Sequence, residues 1–298
     1  MFDITTLTVL ADIAERAAKA AGRYMLSVDR NQLTIAIKSG AHSLAAQLFS
    51  EVDSTSEAII YEHLLPTMRS GNIAWLAEES ADSEEVSTHE RFNKPTFWCV
   101  DPLDGTQTFL QGGSGFAVSI ALVSQAGVPL LSVVYHPASD TCYRALQGVV
   151  IKTPTAVVTP TVFTLFADQS FKQHPFYEHS MVAIEHLAAS LGTPDIELVT
   201  NQGAVMNACS VLNTPNSVYF KLPKAEAGGG CIWDYASTVG LFNAAGKKVT
   251  DMNGELLQLN PKNSLYFNHG GVLFSSNDKV HDAMLEWWRA LIVEPLSK

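Results

Sequence analysis

The chain has 298 residues, of which 47% are apolar, and a formal net charge of −11. That length exceeds one ordinary core and predicts one large or two closely packed domains, while the apolar fraction excludes a disordered chain. The negative charge excludes bulk electrostatic attraction to a nucleic-acid polymer or an anionic membrane. No signal peptide or bilayer-length apolar stretch is recognisable, because Asp12, Glu15, Arg16 and Lys19 interrupt the N-terminal apolar residues. A cytoplasmic protein is expected. Cys99, Cys142, Cys209 and Cys231 lack CxxC spacing and sit in apolar surroundings, and the nine histidines show no HxH or HExxH pattern. Buried reduced thiols are therefore expected, with neither zinc sites nor disulfides.

In chain order, Leu7, Leu10, Ala14, Ala17, Ala21 and Tyr24 recur at three- and four-residue steps and predict a helix over Thr6 to Leu26. A short strand over Gln32 to Ile37 and a polar loop over Lys38 to Ser43 follow. A second helix opens within Glu51 to Glu57 and runs through Ile59, Ile60 and Leu64. Asp53 fits a helix cap there, and Ser54 with Glu57 has capping-box spacing. Ala74-Trp75-Leu76-Ala77 is a short apolar run that ends in Glu78-Glu79-Ser80, and the acids just beyond it, Asp82, Glu84 and Glu85, predict a solvated loop.

The β-prone run from Thr96 to Val100 ends in Asp101-Pro102-Leu103-Asp104-Gly105-Thr106. Pro102 fixes its own φ and keeps Asp101 out of the helical region, so the strand is expected to stop at Asp101 and turn. Two carboxylates on one tight turn repel each other unless a cation lies between them, and Mg²⁺ suits oxygen ligands. Gly105 and Thr106 then start a helix, where free N–H groups can receive a phosphate oxygen. The same residues also make an ordinary turn.

Beyond this motif, Gln111 to Gly115 forms a glycine-rich loop suited equally to flexibility and to close approach by a ligand. Phe116 to Val123, Pro129 to Tyr135 and Thr141 to Leu146 read as an antiparallel meander. A boundary near residue 150 divides an N-terminal domain, 1–150, from a C-terminal domain, 151–298. In the second half, helices over Tyr177 to Ser190 and Ala204 to Leu212 alternate with strands over Ile196 to Val199 and Ser217 to Leu222, which suggests a partly parallel sheet with helices on its faces. Trp233-Asp234 opens a helix over Tyr235 to Ala245, where the pair also fits a simple cap on a core anchor. Asn253-Gly254 predicts a hairpin between Lys247 to Asp251 and Glu255 to Leu259. A strand over Gly271 to Ser275 precedes a last helix, capped by Ser276 or Asn277, with the stripe Val280, Met284, Trp287 and Leu291.

Three ordered motifs, Glu78-Glu79-Ser80, Asp101-Pro102-Leu103-Asp104-Gly105-Thr106 and Trp233-Asp234-Tyr235-Ala236, resemble those of the inositol monophosphatase superfamily. The resemblance runs from about Phe2 to the last helix. It implies a layered α/β fold with an antiparallel N-terminal sheet, a mixed C-terminal sheet, and helices between and outside the sheets. It also implies a Mg²⁺-dependent phosphoric monoester hydrolase in which Glu78, Asp101, the Leu103 carbonyl, Asp104 and Asp234 hold two or three ions. Glu78 and an Asp53–Thr106 pair would orient or deprotonate the attacking water, and Gly105, Thr106 and Asp234 would contact the substrate. A metal-contacting loop at Lys38 to Ser43, a homodimer and inhibition by Li⁺ belong to the same resemblance.

The resemblance implies a small phosphate monoester as substrate, read first as an inositol or other polyol or sugar phosphate and second as a 3′(2′),5′-bisphosphate nucleotide. The inositol branch places an acid seven residues before the Trp-Asp aspartate, where this chain has Ala227. The nucleotidase branch has Gly-Ser-Ser-x-Lys where this chain has Gly203-Ala204-Val205-Met206-Asn207, and Lys221 or Lys224 is either the substitute for that lysine or solvated. A non-catalytic phosphometabolite-binding relative is disfavoured because every expected acid is present. The Asp-x-x-Asp spacing argues against an aspartyl-phosphate phosphatase, which would use Asp-x-Asp.

Overall fold

A computed structural model describes residues 2–30, 33, 35–37, 48–81, 86–147, 149–152, 161–228 and 230–293. The loop expected at Lys38 to Ser43 and the solvated acids Asp82, Glu84 and Glu85 lie outside the described residues. The first helix, α1 (Ile4–Ser27), starts at Asp3, whose carboxylate accepts the Thr6 N–H at 2.8 Å. Its expected stripe is buried, with Tyr24 only partly so. Small residues let it lie close to the sheet, since a Cβ on Gly22 would stand 2.4 Å from a Tyr135 ring carbon.

Strands β1 (Ile35–Ile37) and β2 (Leu48–Ser50) pair antiparallel ahead of α2 (Glu51–Gly71). Helix α2 begins at Glu51, so Asp53 and Ser54 lie inside its first turn and the expected capping box does not form. Next come β3 (Ile73–Ala77), the single turn α3 (Glu78–Ala81), β4 (Thr96–Asp104), the single turn α4 (Thr106–Leu110), β5 (Ala117–Ser124), β6 (Pro129–His136), β7 (Thr141–Leu146) and β8 (Val149–Lys152). The strands from β3 to β8 form one six-stranded sheet in chain order. From β4 onward it is the expected antiparallel meander, but β3 runs parallel to β4.

The second half holds β9 (Phe163–Phe166), α5 (Tyr177–Ser190), β10 (Ile196–Val199), α6 (Ala204–Asn213), β11 (Ser217–Lys221), α7 (Ile232–Ala244), β12 (Val249–Thr250), β13 (Val272–Ser275) and α8 (Asp278–Val293). Its five-stranded sheet has the order β10-β9-β11-β13-β12, parallel over the first three strands and antiparallel over the rest. Asn277 caps α8 by accepting the Val280 N–H at 3.0 Å. The hairpin expected at Asn253-Gly254 does not form, because β12 pairs with β13 instead. The Asp251 carboxylate gathers the N–H groups of Asn253 and Glu255 at 2.8 and 2.9 Å, which makes a local turn without a second strand.

The alternating faces of each sheet explain the layering. On β4, Trp98 and Val100 enter a core with α1 and α2, whereas Phe97 and Cys99 enter another with α6, α7 and the aromatic residues Tyr219 and Phe274 of the second sheet. The far face of that sheet, with Phe163, Leu165, Val218, Phe220 and Leu273, packs on α5 and α8. The order is therefore helices, sheet, helices, sheet, helices. All four cysteines are free, and Cys99, Cys142 and Cys209 are buried. Among the described residues no helix is long and apolar enough to cross a membrane.

Candidate active site

Strand ends bring the acids together. Because β3 and β4 are parallel with Ala77 opposite Val100, Glu78 and Asp101 leave the sheet side by side at the same end. In a regular strand, residues 101 and 104 would face opposite ways, since three steps is an odd number. Strand β4 does not stop at Asp101 as expected but continues to Asp104 through a register shift, with Asp101 opposite Ser119 and Asp104 opposite Ala117. Two residues, Pro102 and Leu103, thus face the single Val118 on the partner strand, and this bulge, at the proline that has no N–H to give, turns both carboxylates to one side. The Asp101 carboxylate accepts the Leu103 N–H at 3.0 Å, which tightens the bend.

The second half supplies the remaining walls. Asp104 Oδ2 accepts the Val205 N–H at 3.0 Å in the first turn of α6. Three glycines allow this approach. Gly203 donates its N–H to the Gly115 carbonyl at 2.7 Å, and Gly105, at φ +85°, lies against the Gly203 backbone. The glycine-rich loop over Gln111 to Gly115 therefore serves a backbone junction. Asp234 is the third residue of α7 and accepts the Cys231 N–H at 2.7 Å. The Ser119 hydroxyl, next to Asp101 on β5, donates to the Trp233 carbonyl at 3.2 Å and contacts the Ser237 hydroxyl at 2.7 Å, which stitches α7 to the acid-bearing strand.

The result is a cluster in which carboxylate oxygens of Asp101, Asp104 and Asp234 lie within 4.8 Å of one another. Burial, then repulsion from Glu78, Asp104 and Asp234, pushes the Asp101 carboxyl well above the usual carboxylate range. Burial followed by Asp234 pushes Asp104 up to about 8. Asp234 is raised by burial too, although Lys221, the Cys231 N–H and a hydrogen bond with Asp101 oppose the rise. Three oxygen donors that repel each other, Asp101 and Asp104 buried and Asp234 half-buried, fit a hard divalent cation, which would relieve both penalties at once. Glu78 borders this trio. Asp53, 2% exposed, does not line the cleft but accepts the Thr106 hydroxyl at 2.9 Å, closer than the Leu103 carbonyl at 3.1 Å.

Glu78, Asp101, Leu103, Asp104, Gly105, Thr106 and Asp234 all line one cleft of about 580 Å³. The same cleft carries groups that the sequence did not single out or left undecided. The Lys221 ammonium lies 3.0 Å from Asp168. Burial opposes its charge, but Asp168, Tyr235 and Asp234 hold its pKa well above the ordinary lysine value. This pairing follows from the sheet, since Phe166 on β9 is opposite Tyr219 on the parallel β11 and each charged residue stands two positions further on. Lys224 and His174 line the cleft as well. Burial and then Lys224 lower the histidine's pKa, and its Nδ1 accepts the Phe176 N–H at 3.2 Å, which leaves the ring proton on Nε2.

Comparison with known proteins agrees with this layout. The family model described as the inositol monophosphatase family matches residues 6–291. The chain is 28% identical over 207 residues to the 3′(2′),5′-bisphosphate nucleotidase CysQ of Salmonella typhimurium, covering 67% of this chain and 74% of that one. It is 32% identical over 137 residues to inositol monophosphatase 2 of Solanum lycopersicum, covering 46% and 48% of the two chains. The solved inositol monophosphatase from Anabaena (Nostoc) sp. PCC 7120 shares the fold with a TM-score of 0.64 at 23% identity, over 97% of both chains. The chain belongs to the inositol monophosphatase family.

Proposed function

We propose that this protein is a Mg²⁺-dependent phosphomonoesterase that hydrolyses a small phosphate ester by direct attack of water. The observation that carries the reading is the convergence of Asp101, Asp104 and Asp234 within 4.8 Å, with Glu78 beside them, on a cleft that also receives Thr106. Glu78, Asp101, the Leu103 carbonyl, Asp104 and Asp234 would hold two or three Mg²⁺ ions. Bound there, the metal supplies positive charge that acidifies water and screens the phosphoryl oxygens.

The chain's own groups do the rest. Asp53 draws the Thr106 proton toward itself, because a carboxylate accepts more strongly than a carbonyl. The Thr106 oxygen then presents lone pairs to water at the mouth of the cleft. Thr106 and Glu78 orient that water, and its proton passes either to the Glu78 carboxylate directly or to the Thr106 oxygen as that hydroxyl gives its own proton to Asp53. The N–H groups of Gly105 and Thr106 steady the phosphoryl oxygens as charge shifts. Cytoplasmic location, a homodimer and inhibition by Li⁺ accompany this reading.

Between the two substrate classes, the basic groups that line the cleft favour the 3′(2′),5′-bisphosphate nucleotide over a polyol phosphate. Where hydroxyl binding calls for an acid, this cleft sets Lys221, Lys224 and a His174 N–H donor, with Asp168 as the one acid among them. The test is phosphate release with Mg²⁺ from inositol 1-phosphate, glucose 6-phosphate and adenosine 3′,5′-bisphosphate. Preference for the bisphosphate supports the reading, and preference for the polyol phosphates returns the substrate to the first class. Release from none of them would make the protein a non-catalytic binder.

A further inference from the structure

Three clustered carboxylates attract any cation within reach, and the chain carries one of its own. Lys221 lines the same cleft, and its charge already acts on Asp104 and Asp234. Its ammonium nevertheless points to Asp168, 3.0 Å away. Asp168 is anchored in turn. Its Oδ1 accepts the hydroxyl of Tyr219, a residue with no exposed surface on the same strand as the lysine. A four-carbon stem gives the ammonium a choice of acceptors, so its resting place depends on which acid holds it more firmly.

Resting on the reading of the acid cluster as a metal site, we propose that Asp168 is a positioning residue that holds the Lys221 ammonium off the acid cluster and so keeps that cluster open to a divalent cation. Without the Asp168 charge, Lys221 becomes a partly buried cation that has lost its ion-pair partner, which is costly, and Asp234 is the next acid whose charge acts on it. The lysine then occupies the site as an internal competitor, and the apparent metal affinity falls by the fraction of molecules so blocked.

The experiment titrates Mn²⁺ alone into the full chain, following free Mn²⁺ by its paramagnetic resonance signal, so that no turnover is needed. Asp168→Asn is expected to raise the Kd by about tenfold, while Asp168→Glu, which keeps the charge, stays near the parent value. Lys221→Met should change the parent by less than about twofold but bring Asp168→Asn back close to it. A simple field effect would instead give Lys221→Met the same factor in both backgrounds, and that result overturns the proposal. An unchanged Kd in Asp168→Asn, or a double variant as weak as the single one, also overturns it. Tyr219→Phe, which removes the hydroxyl that anchors Asp168 but keeps both charges, gives a milder test should Asp168→Asn fail to fold, with a rise of about threefold that Lys221→Met abolishes. If the parent chain binds no Mn²⁺, the metal-site reading falls and this proposal falls with it. If it binds Mn²⁺ with additive effects, this proposal alone falls.

Discussion

Replacing Gly203 by alanine tests how closely the two halves must meet. The backbone of Gly203 is in an ordinary extended conformation, so strain at φ plays no part. The new Cβ would stand 2.2 Å from Asp104 Oδ2, 2.7 Å from its Cγ and 2.8 Å from the Gly105 Cα. Ordinary contact begins near 3.4 Å, so the carboxylate has to retreat by about 1 Å or the junction has to open by as much. Overpacking of this kind costs about 1–3 kcal/mol of stability, and a shift of about 1 Å in a group that positions reactants costs about 100-fold in rate. Gly203→Ala is therefore expected to lose about two orders of magnitude in kcat/KM and to need several-fold more Mg²⁺ for half-maximal activity. Gly192→Ala is the control. Gly192 is also costly to substitute, at φ +74°, but has nothing within 4 Å and lies outside the cleft, so it should lose stability alone. Urea melts and Mg²⁺ saturation curves for both variants check this. A Gly203→Ala enzyme with parental Mg²⁺ saturation and turnover would refute the argument that this contact sets the Asp104 carboxylate.

Three further outcomes follow from the same geometry. Asp53→Asn removes the stronger acceptor of the Thr106 proton without touching the three-aspartate cluster, so kcat should fall by about 100-fold or more while the Kd for Mg²⁺, measured calorimetrically, stays within about twofold. Burial, then Asp234, raises Asp104 above its unfolded value of 3.8 to about 8, so in EDTA the folded chain holds more protons than the unfolded one across that interval. Stability is then lost as pH rises through it, and added Mg²⁺ should raise the Tm more at its alkaline end than at its acid end; an equal rise at both ends would contradict this. Burial, then Lys248, depresses His281 from 6.5 to about 4, so this residue contributes stability above its unfolded pKa that is lost as pH falls toward 4. Urea melts across that range should show the parent losing up to about 3 kcal/mol more than His281→Gln.

Much of the site was legible in the chain because each acid marks the end of an apolar run. Glu78 closes Ile73–Ala77, Asp101 and Asp104 close the run from Thr96, and Asp234 heads α7. Family resemblance then selected Glu78 over its acidic neighbours, which local spacing alone could not do. The parallel pairing of β3 with β4, which sets Glu78 beside Asp101, left no local trace, since direction depends on how the eighteen residues between the two strands cross over. Pro102 was visible, but it was read as a strand end. The partner strand decides the outcome instead, because Ser119 and Ala117 continue the ladder on either side of the bulge.

Asn253-Gly254 fails for a related reason. Its hairpin signal is local, but the edge of β13 offers β12 a longer-lived partner backed by the buried face of a complete sheet. Asp168 is the clearest case of a functional candidate hidden by distance. It follows the short run Phe163–Phe166 and lies 53 residues before Lys221, and only the parallel register of β9 with β11 gives the two charges the same height above the sheet. The acids of the cluster are set by motifs in which neighbours in sequence shape the turn. The cation that faces them is set by sheet topology, and its effect on metal affinity can be predicted only once that topology is known.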